Sequence, residues 1–384
     1  MLLRSLRVQY AHRAWWRYNT PACARSFSDH GGRVNEALKI LFCGADDLSI
    51  KSLGALSELQ QSSTGLIESI DVVCRPDKPR GRGLKVKHEV PIKAAAFRRG
   101  LQLHQLDTFT GWSPPKDYDL VVAVSFGLLV PGRLLTAAKY GGLNVHPSLL
   151  PEFRGAAPIP RALLSGCTVS GVTLQTMHPT RFDHGTILAQ EEMSLDPLPS
   201  NGEKSILDNA IERMGTVGAR MLSDYIRHRR YEHPAPAFNL KPRQPSNAPK
   251  ITPEDRHIDW NTWTADKILL RDRVLGKLWD TVTFGKCMWP REKIPQPKRM
   301  VFHGPWTIMK SGREMIEVNP GQPLAVSQNG NAAPTLGLHT KDGKVVMPSD
   351  VTIEGKKAGT GLRGLVGAVV ENTNTCIASV NSRT

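Results

Sequence analysis

Short apolar runs with almost no polar alternation punctuate the first part of the chain, at residues 38–43, 70–74, 120–124 and 142–146. Stretches with helical spacing lie between them, at 47–61, 91–99 and 132–139. A strand buried on both faces reads as a continuous β-branched run, and such strands alternating with helices predict an α/β fold around a mostly parallel sheet. Residues 171–176 and 187–193 predict two further strands, and a helix at 205–227 closes this part.

The pattern changes at His233-Pro234-Ala235-Pro236 and stays rich in proline as far as Pro249. Proline at that density keeps a chain extended and semi-rigid. Residues 232–250 are therefore expected to link a catalytic domain at 38–231 to a second domain at 251–384. In the second domain a helix is expected at 265–274. Short β-like runs follow at 279–284, 307–309, 315–318, 336–339 and 344–346, separated by Gly, Pro and Asn. That spacing predicts a small β-barrel or sandwich.

Charge adds a partner class. The 384 residues carry 50 Lys and Arg against 35 acids, a net +15, and a surface this basic concentrates polyanions such as nucleic acid. Part of the excess has another explanation. Arg4, Arg7, Arg13, Arg17, Arg25 and Arg33 stand against the single acid Asp29 in residues 1–34. On a helix Leu3, Leu6 and Tyr10 form an apolar stripe flanked by Arg4 and Arg7, the amphipathic, acid-poor pattern of an import leader. Residues 1–34 are expected to be a transit peptide directing the chain to the mitochondrial matrix. Without them the remainder is still +10. No apolar run is long enough to span a bilayer, so no membrane partner is expected. The six cysteines form no C-x-x-C pair, which argues against a zinc ribbon or a disulfide framework, and no metal is expected. A monomer is the simplest expectation for the assembly.

The chemistry concentrates between Gly142 and Pro158, in the run GLNVHPSLLPEFRGAAP. Asn144 and His146 are two apart at the end of a predicted strand, so both side chains point to one side of the sheet. The carboxyl ends of strands are where open α/β sheets bind ligands. An amide and an imidazole projected together there can hold a carbonyl oxygen and move a proton. The Pro- and Gly-rich residues that follow are expected to form a rigid loop rather than a helix or strand. A second segment, Phe182-Asp183-His184-Gly185, lies between two predicted strands and can aim Asp183 at the same pocket. A lone strand-end His or an Asp before Gly is ordinarily structural; the joint occurrence of the three raises the chemical reading.

The segments N-V-H-P-S-L-L-P-x-x-R-G-A-A-P-I and F-D-H-G-T-I-L together resemble the signature of the 10-formyltetrahydrofolate formyltransferases. Their invariant Asn, His and Asp fall on Asn144, His146 and Asp183. The runs K-I-L-F-C-G-A-D-D, R-P-D-K-P-R-G-R-G, I-D-W at 258–260 and E-G-K-K-A-G at 354–359 resemble the methionyl-tRNA branch in particular. The resemblance spans about 38–365. It implies a Rossmann-like formyltransferase domain followed by a small, OB-like β-barrel that contributes to tRNA binding. It also implies transfer of a formyl group from 10-formyltetrahydrofolate to the α-amine of methionyl-tRNA. His146 and Asn144 would then stabilise the oxygen of a tetrahedral intermediate, while Asp183 orients His146 and helps carry the proton. The folate is expected at the loop Ser148, Leu149, Leu150 and Pro151. In the basic, Gly-rich segment 75–87, Arg82 falls on the branch's key acceptor-stem arginine, and Arg80, Arg82, Lys85 and Lys87 are expected to neutralise phosphates. The chain departs from the family where Ala45-Asp46-Asp47-Leu48 follows the first glycine, and where His184 follows the Asp; His184 is expected to be a bystander.

A dinucleotide oxidoreductase is disfavoured, because Gly44 stands alone where G-x-G-x-x-G is needed. A formyltransferase for a small amine would share the same three polar residues, and a catalytically inactive RNA-binding relative would share the basic surface. The basic loop and separate second domain favour tRNA over the former. Retention of three polar groups in one pocket, at a desolvation cost, argues against the latter.

Overall fold

The computed structural model describes residues 36–80, 86–195, 205–283, 297–309, 319–326, 335–358, 361–362 and 365–366, with the backbone alone at 80, 86–88, 282–283 and 325. The expected transit peptide lies outside the described residues. The first part begins with β1 (Leu38–Gly44), α1 (Asp47–Gln61), β2 (Ile67–Cys74), β3 (Lys78–Arg80), β4 (Val86–His88), α2 (Pro91–Arg98) and β5 (Gln102–Gln105). It continues with β6 (Leu120–Val124), α3 (Gly132–Ala137), β7 (Gly142–His146), α4 (Pro158–Leu164), β8 (Val169–Thr176), β9 (Ile187–Ser194) and α5 (Ile206–Arg227).

Seven of these strands form one sheet in the order β5-β2-β1-β6-β7-β8-β9. Pairing is parallel from β5 to β7 and antiparallel from β7 through β8 to β9. The fold is therefore the expected Rossmann-like, mostly parallel one. Both faces of the sheet are covered, which is why its strands read as unbroken apolar runs. On one face Ile40, Phe42, Val72 and Val122 pack with Leu53, Leu56 and Leu222 of α1 and α5. On the other, Leu41, Cys43, Val73 and Val121 pack with Phe109, Phe126 and Leu134. Asp46 caps α1 by accepting the Ser49 N–H, and Ser205 caps α5 by accepting the Asp208 N–H, the start signals that these side chains supply.

Three elements of this part depart from the pattern reading. β5 is a polar edge strand, and the short β3–β4 hairpin lies within the basic segment. The loop after β7 ends in α4, whose first residue is Pro158; proline is compatible with a helix there because the first-turn N–H has no intrahelical acceptor.

Beyond α5 the chain forms no helix or strand until a 3₁₀ turn at Glu254–Arg256. A single bridge in this stretch joins Asn247 to Arg154. Then come α6 (Ala265–Leu275), β10 (Leu278–Thr283), β11 (Pro297–His303), β12 (Thr307–Ile308), β13 (Pro323–Val326), β14 (Thr335–His339), β15 (Val345–Met347) and β16 (Asp350–Ile353). The strands form two antiparallel sheets, β10-β11-β16 and β12-β15-β14-β13. Ile268, Leu278, Phe302, Leu338 and Val351 share one core between them, in keeping with the expected small barrel. The run expected at 315–318 lies outside the described residues.

Candidate active site

Strand order reverses beside β1: α1 leads outward to β2, while the chain later returns to place β6 on the other side. The carboxyl ends of β1 and β6 diverge at such a point and leave a crevice. A cleft of about 340 Å³ opens there, within the range that small-molecule ligands need. Asp46 after β1, residues 125–130 after β6, Asn144 and His146 of β7, Gln175 of β8, and Phe182 and Asp183 line it. All three polar residues expected to carry chemistry therefore meet in one cleft.

Their geometry is a connected chain of polar contacts. The Asn144 amide nitrogen donates to the Ala123 carbonyl at 3.0 Å, across the β6–β7 pairing. Its side-chain oxygen accepts from Gln175 Nε2 at 3.0 Å, across the β7–β8 pairing in which the two residues are partners. The same Gln175 nitrogen lies 3.3 Å from Asp183 Oδ1, which in turn lies 3.3 Å from His146 Nδ1. Asp183 Oδ2 accepts the Gly155 N–H at 2.9 Å. His146 Nε2 faces the Phe153 carbonyl at 2.9 Å. Both nitrogens of this buried ring thus face oxygen atoms, one on Asp183 and one on the backbone. One hydrogen of the Asn144 amide has no acceptor among the described residues.

Asp183 sits at φ +54, in the left-handed region that Asp tolerates better than most residues. Its turn is held by the Gly185 N–H, which donates to Gln175 Oε1 at 3.1 Å, and by Arg154 Nε, which donates to the Asp183 carbonyl at 3.0 Å. Gln175 was not singled out by the sequence pattern. A strand-partner relationship with Asn144 was its only available signal, and that requires the β7–β8 register.

The loop Ser148–Pro151 is placed differently from the cleft-lining residues. Ser148, Leu149 and Leu150 are buried, with Ser148 Oγ donating to the Glu152 carbonyl at 2.6 Å and the Leu150 N–H donating to Thr173 Oγ1 at 3.0 Å. None of the three side chains, nor Pro151, lines the cleft; Pro147, Gly155, Ala156 and Pro158 of the same connection do. His184 also stays out of the cleft, its Nδ1 lying 2.5 Å from the Phe182 carbonyl. At the rim, desolvation with the charges of Arg181 and His184 pushes His178 below its usual value, so that it is neutral at pH 7.

Arg82 and Lys85 lie outside the described residues, as do the side chains of Arg80 and Lys87. The backbone of the β3–β4 hairpin that carries them follows β2 directly. Burial raises the thiols of Cys43 and Cys74, the latter to about 11, so neither is a nucleophile at neutral pH. Among the described residues, no group of His, Cys, Asp or Glu is placed to hold a metal ion.

Residues 38–213 match the family model described as formyl transferase. A mitochondrial methionyl-tRNA formyltransferase of Saccharomyces cerevisiae is 36% identical over 288 residues, covering 66% of this chain and 72% of that protein. A mitochondrial methionyl-tRNA formyltransferase of Bos taurus is 33% identical over 256 residues, covering 65% of this chain and 60% of that one. Among solved structures, the N-formyltransferase from Helicobacter canadensis, in complex with folinic acid and dTDP-3-aminofucose, aligns at TM-score 0.48 and 14% identity, covering 81% of this chain and 98% of that one.

Proposed function

The chain belongs to the methionyl-tRNA formyltransferase family, and from that premise we propose how its cleft formylates the methionyl ester of tRNA, with 10-formyltetrahydrofolate as the donor. It is a mitochondrial formyltransferase acting on methionyl-tRNA, which supplies formylmethionyl-tRNA for translation initiation; the compartment we assign is the matrix.

The observation that carries the site assignment is the continuous contact from Asn144 through Gln175 and Asp183 to His146. The amine of the methionyl group attacks the formyl carbon on N10 of the folate, and the carbonyl oxygen becomes negative as the tetrahedral intermediate forms. The uncommitted Asn144 N–H is the hydrogen-bond donor for that oxygen. His146 stabilises it together with Asn144, held between Asp183 and the Phe153 carbonyl. The C–N bond to N10 then breaks. The proton lost by the amine passes to N10 through the His146–Asp183 pair or a water that it holds. Asp46 and residues 125–130 give the cleft its remaining walls and are where a flat heterocycle would lie; the loop Ser148–Pro151, expected to hold the folate, does not line the cleft. No metal enters this scheme. The basic hairpin with Arg80, Arg82, Lys85 and Lys87 is the proposed entry into the acceptor stem, and the basic region at 251–384, beyond the linker at 232–250, is the second tRNA-binding surface. The chain acts as a monomer in this reading.

The test is formyl transfer from radiolabelled 10-formyltetrahydrofolate to methionyl-tRNA, with glycinamide ribonucleotide and an amino sugar nucleotide as control acceptors. Transfer to methionyl-tRNA alone is expected, and His146→Ala and Asp183→Ala should each lower kcat by roughly a hundred- to a thousandfold. Near-normal turnover by either variant would remove the proposed roles.

A further inference from the structure

The proline-rich stretch after α5 does more than span a gap, because part of it is hydrogen-bonded along the loop that supports the cleft. The Ser246 N–H donates to the Pro151 carbonyl at 3.2 Å, and its carbonyl accepts the Arg154 N–H at 2.9 Å. Its hydroxyl accepts the Phe153 N–H at 2.9 Å. The Ala248 N–H donates to the Arg154 carbonyl at 2.6 Å, and the Ala248 carbonyl accepts the Ala157 N–H at 3.1 Å. One short segment of linker therefore fixes the loop from Pro151 to Ala157.

What that loop presents inward is backbone, not side chain. The Phe153 carbonyl is the acceptor for His146 Nε2, and the Gly155 N–H is the donor to Asp183 Oδ2. These two groups flank Arg154, whose own N–H and C=O are both taken by the linker. Phe153 also sits at φ +55, a backbone conformation that a bulky L-residue rarely adopts unless its surroundings impose it. Ser246 Oγ grips the N–H of that residue while His146 uses its carbonyl. A proline-rich connection holds this register with little loss of chain entropy, since it is already extended.

We propose that Ser246 is a positioning residue for the His146–Asp183 pair: its hydroxyl holds the Glu152–Phe153 peptide, and with it the unusual φ of Phe153, so that the Phe153 carbonyl on the next peptide meets the imidazole. The inference rests on the formyl-transfer reading above and adds a residue about a hundred positions away in the chain. Removing the hydroxyl leaves both backbone bonds of Ser246 in place, so the strap remains paired and only the Glu152–Phe153 peptide loses its acceptor.

The experiment compares full-length wild-type, Ser246→Ala and Ser246→Thr chains by steady-state formyl transfer to methionyl-tRNA, alongside thermal unfolding. Ser246→Ala is expected to lose about tenfold in kcat with both KM values within about twofold of wild type, as a displaced catalytic group demands. Ser246→Thr, which keeps the hydroxyl, should recover most of the rate. An unchanged kcat in Ser246→Ala, a loss confined to KM or to the melting temperature, or no recovery with Thr would overturn the positioning role. A wild-type chain without transfer activity would overturn the functional reading, and this inference with it.

Discussion

Gln175 and Asn144 face each other across the β7–β8 ladder, and the Gln175 amide nitrogen donates to the Asn144 side-chain oxygen over 3.0 Å. The other end of the Gln175 amide accepts the Gly185 N–H, so neither amide is free to turn over. Asn144 must therefore present nitrogen, not oxygen, toward the Ala123 carbonyl and the cleft. An oxygen in that position would repel the negative charge that develops during acyl transfer.

Replacing Gln175 by Leu should accordingly lower kcat by about tenfold to a hundredfold, less than loss of a direct donor at the oxyanion. Gln175→Glu should be worse, since it sets a second carboxylate beside Asp183 Oδ1. Steady-state kinetics on both variants check the order. Equal activity of Glu and Gln at this position would remove the orienting role.

Gly185 closes the turn that delivers Asp183, and a Cβ built on it would stand 1.6 Å from the Thr176 carbonyl oxygen. That neighbour is backbone within the β8–β9 region and cannot rotate aside. Gly185→Ala is expected to cost about 2–3 kcal/mol of stability, near the upper end for overpacking, and to displace Asp183. Urea unfolding reads the first effect and the transfer rate the second.

Asp272 of α6 offers a test of pH dependence away from the cleft. Burial pushes its carboxyl up to about 6, and the Trp306 backbone N–H only partly offsets this. The folded state then binds more protons than the unfolded one between about pH 4 and pH 6, so this group's contribution to stability falls as pH rises through that window. Asp272→Asn keeps an acceptor without the charge. It should raise stability at pH 7.5 by about 1–2 kcal/mol, allowing for solvent screening, and change it little at pH 4. Chemical denaturation at the two pH values separates the outcomes; an equal change at both would rule out the charge as the cause.

Arg80, Arg82, Lys85 and Lys87 are assigned to phosphate neutralisation by charge and position in the chain. Neutralising all four should flatten the dependence of log affinity for tRNA on log salt by about 3, at roughly 0.7 per single-stranded contact and 0.9 per duplex contact. Filter binding across a salt series measures the slope. An unaltered slope would leave the hairpin outside the tRNA interface.

Much of this was legible in the chain because the relevant signals are local. β6 and β7 read as apolar runs because each is covered on both faces, and α1 begins where Asp46 supplies a cap. Asn144 and His146 share a strand, so their common direction follows from its two-residue period. What could not be read depends on pairing between distant segments. Gln175 is one polar residue in a strand until its register with β7 is known, and β5 has the polar pattern of an edge. The acceptor on His146 Nε2 is a backbone carbonyl, which has no sequence signature. The loop expected to hold the folate illustrates the same limit. Its residues match a motif, yet Ser148 and Leu149 turn into the interior, and side-chain direction in an irregular loop follows from tertiary packing rather than spacing.

The pairing of residues 151–157 with the segment around Ser246 also has a consequence for biosynthesis. Every strand of the large sheet and every side chain of the polar chain in the cleft has been translated before Ser246 appears. A nascent chain halted after α5 would carry the whole sheet and a complete set of reactive side chains, but no outer edge for the loop that aligns them. Because translation delivers N-terminal segments first, the acquisition of fold and the acquisition of competence are separated in time, with the segment around Ser246 arriving after the sheet.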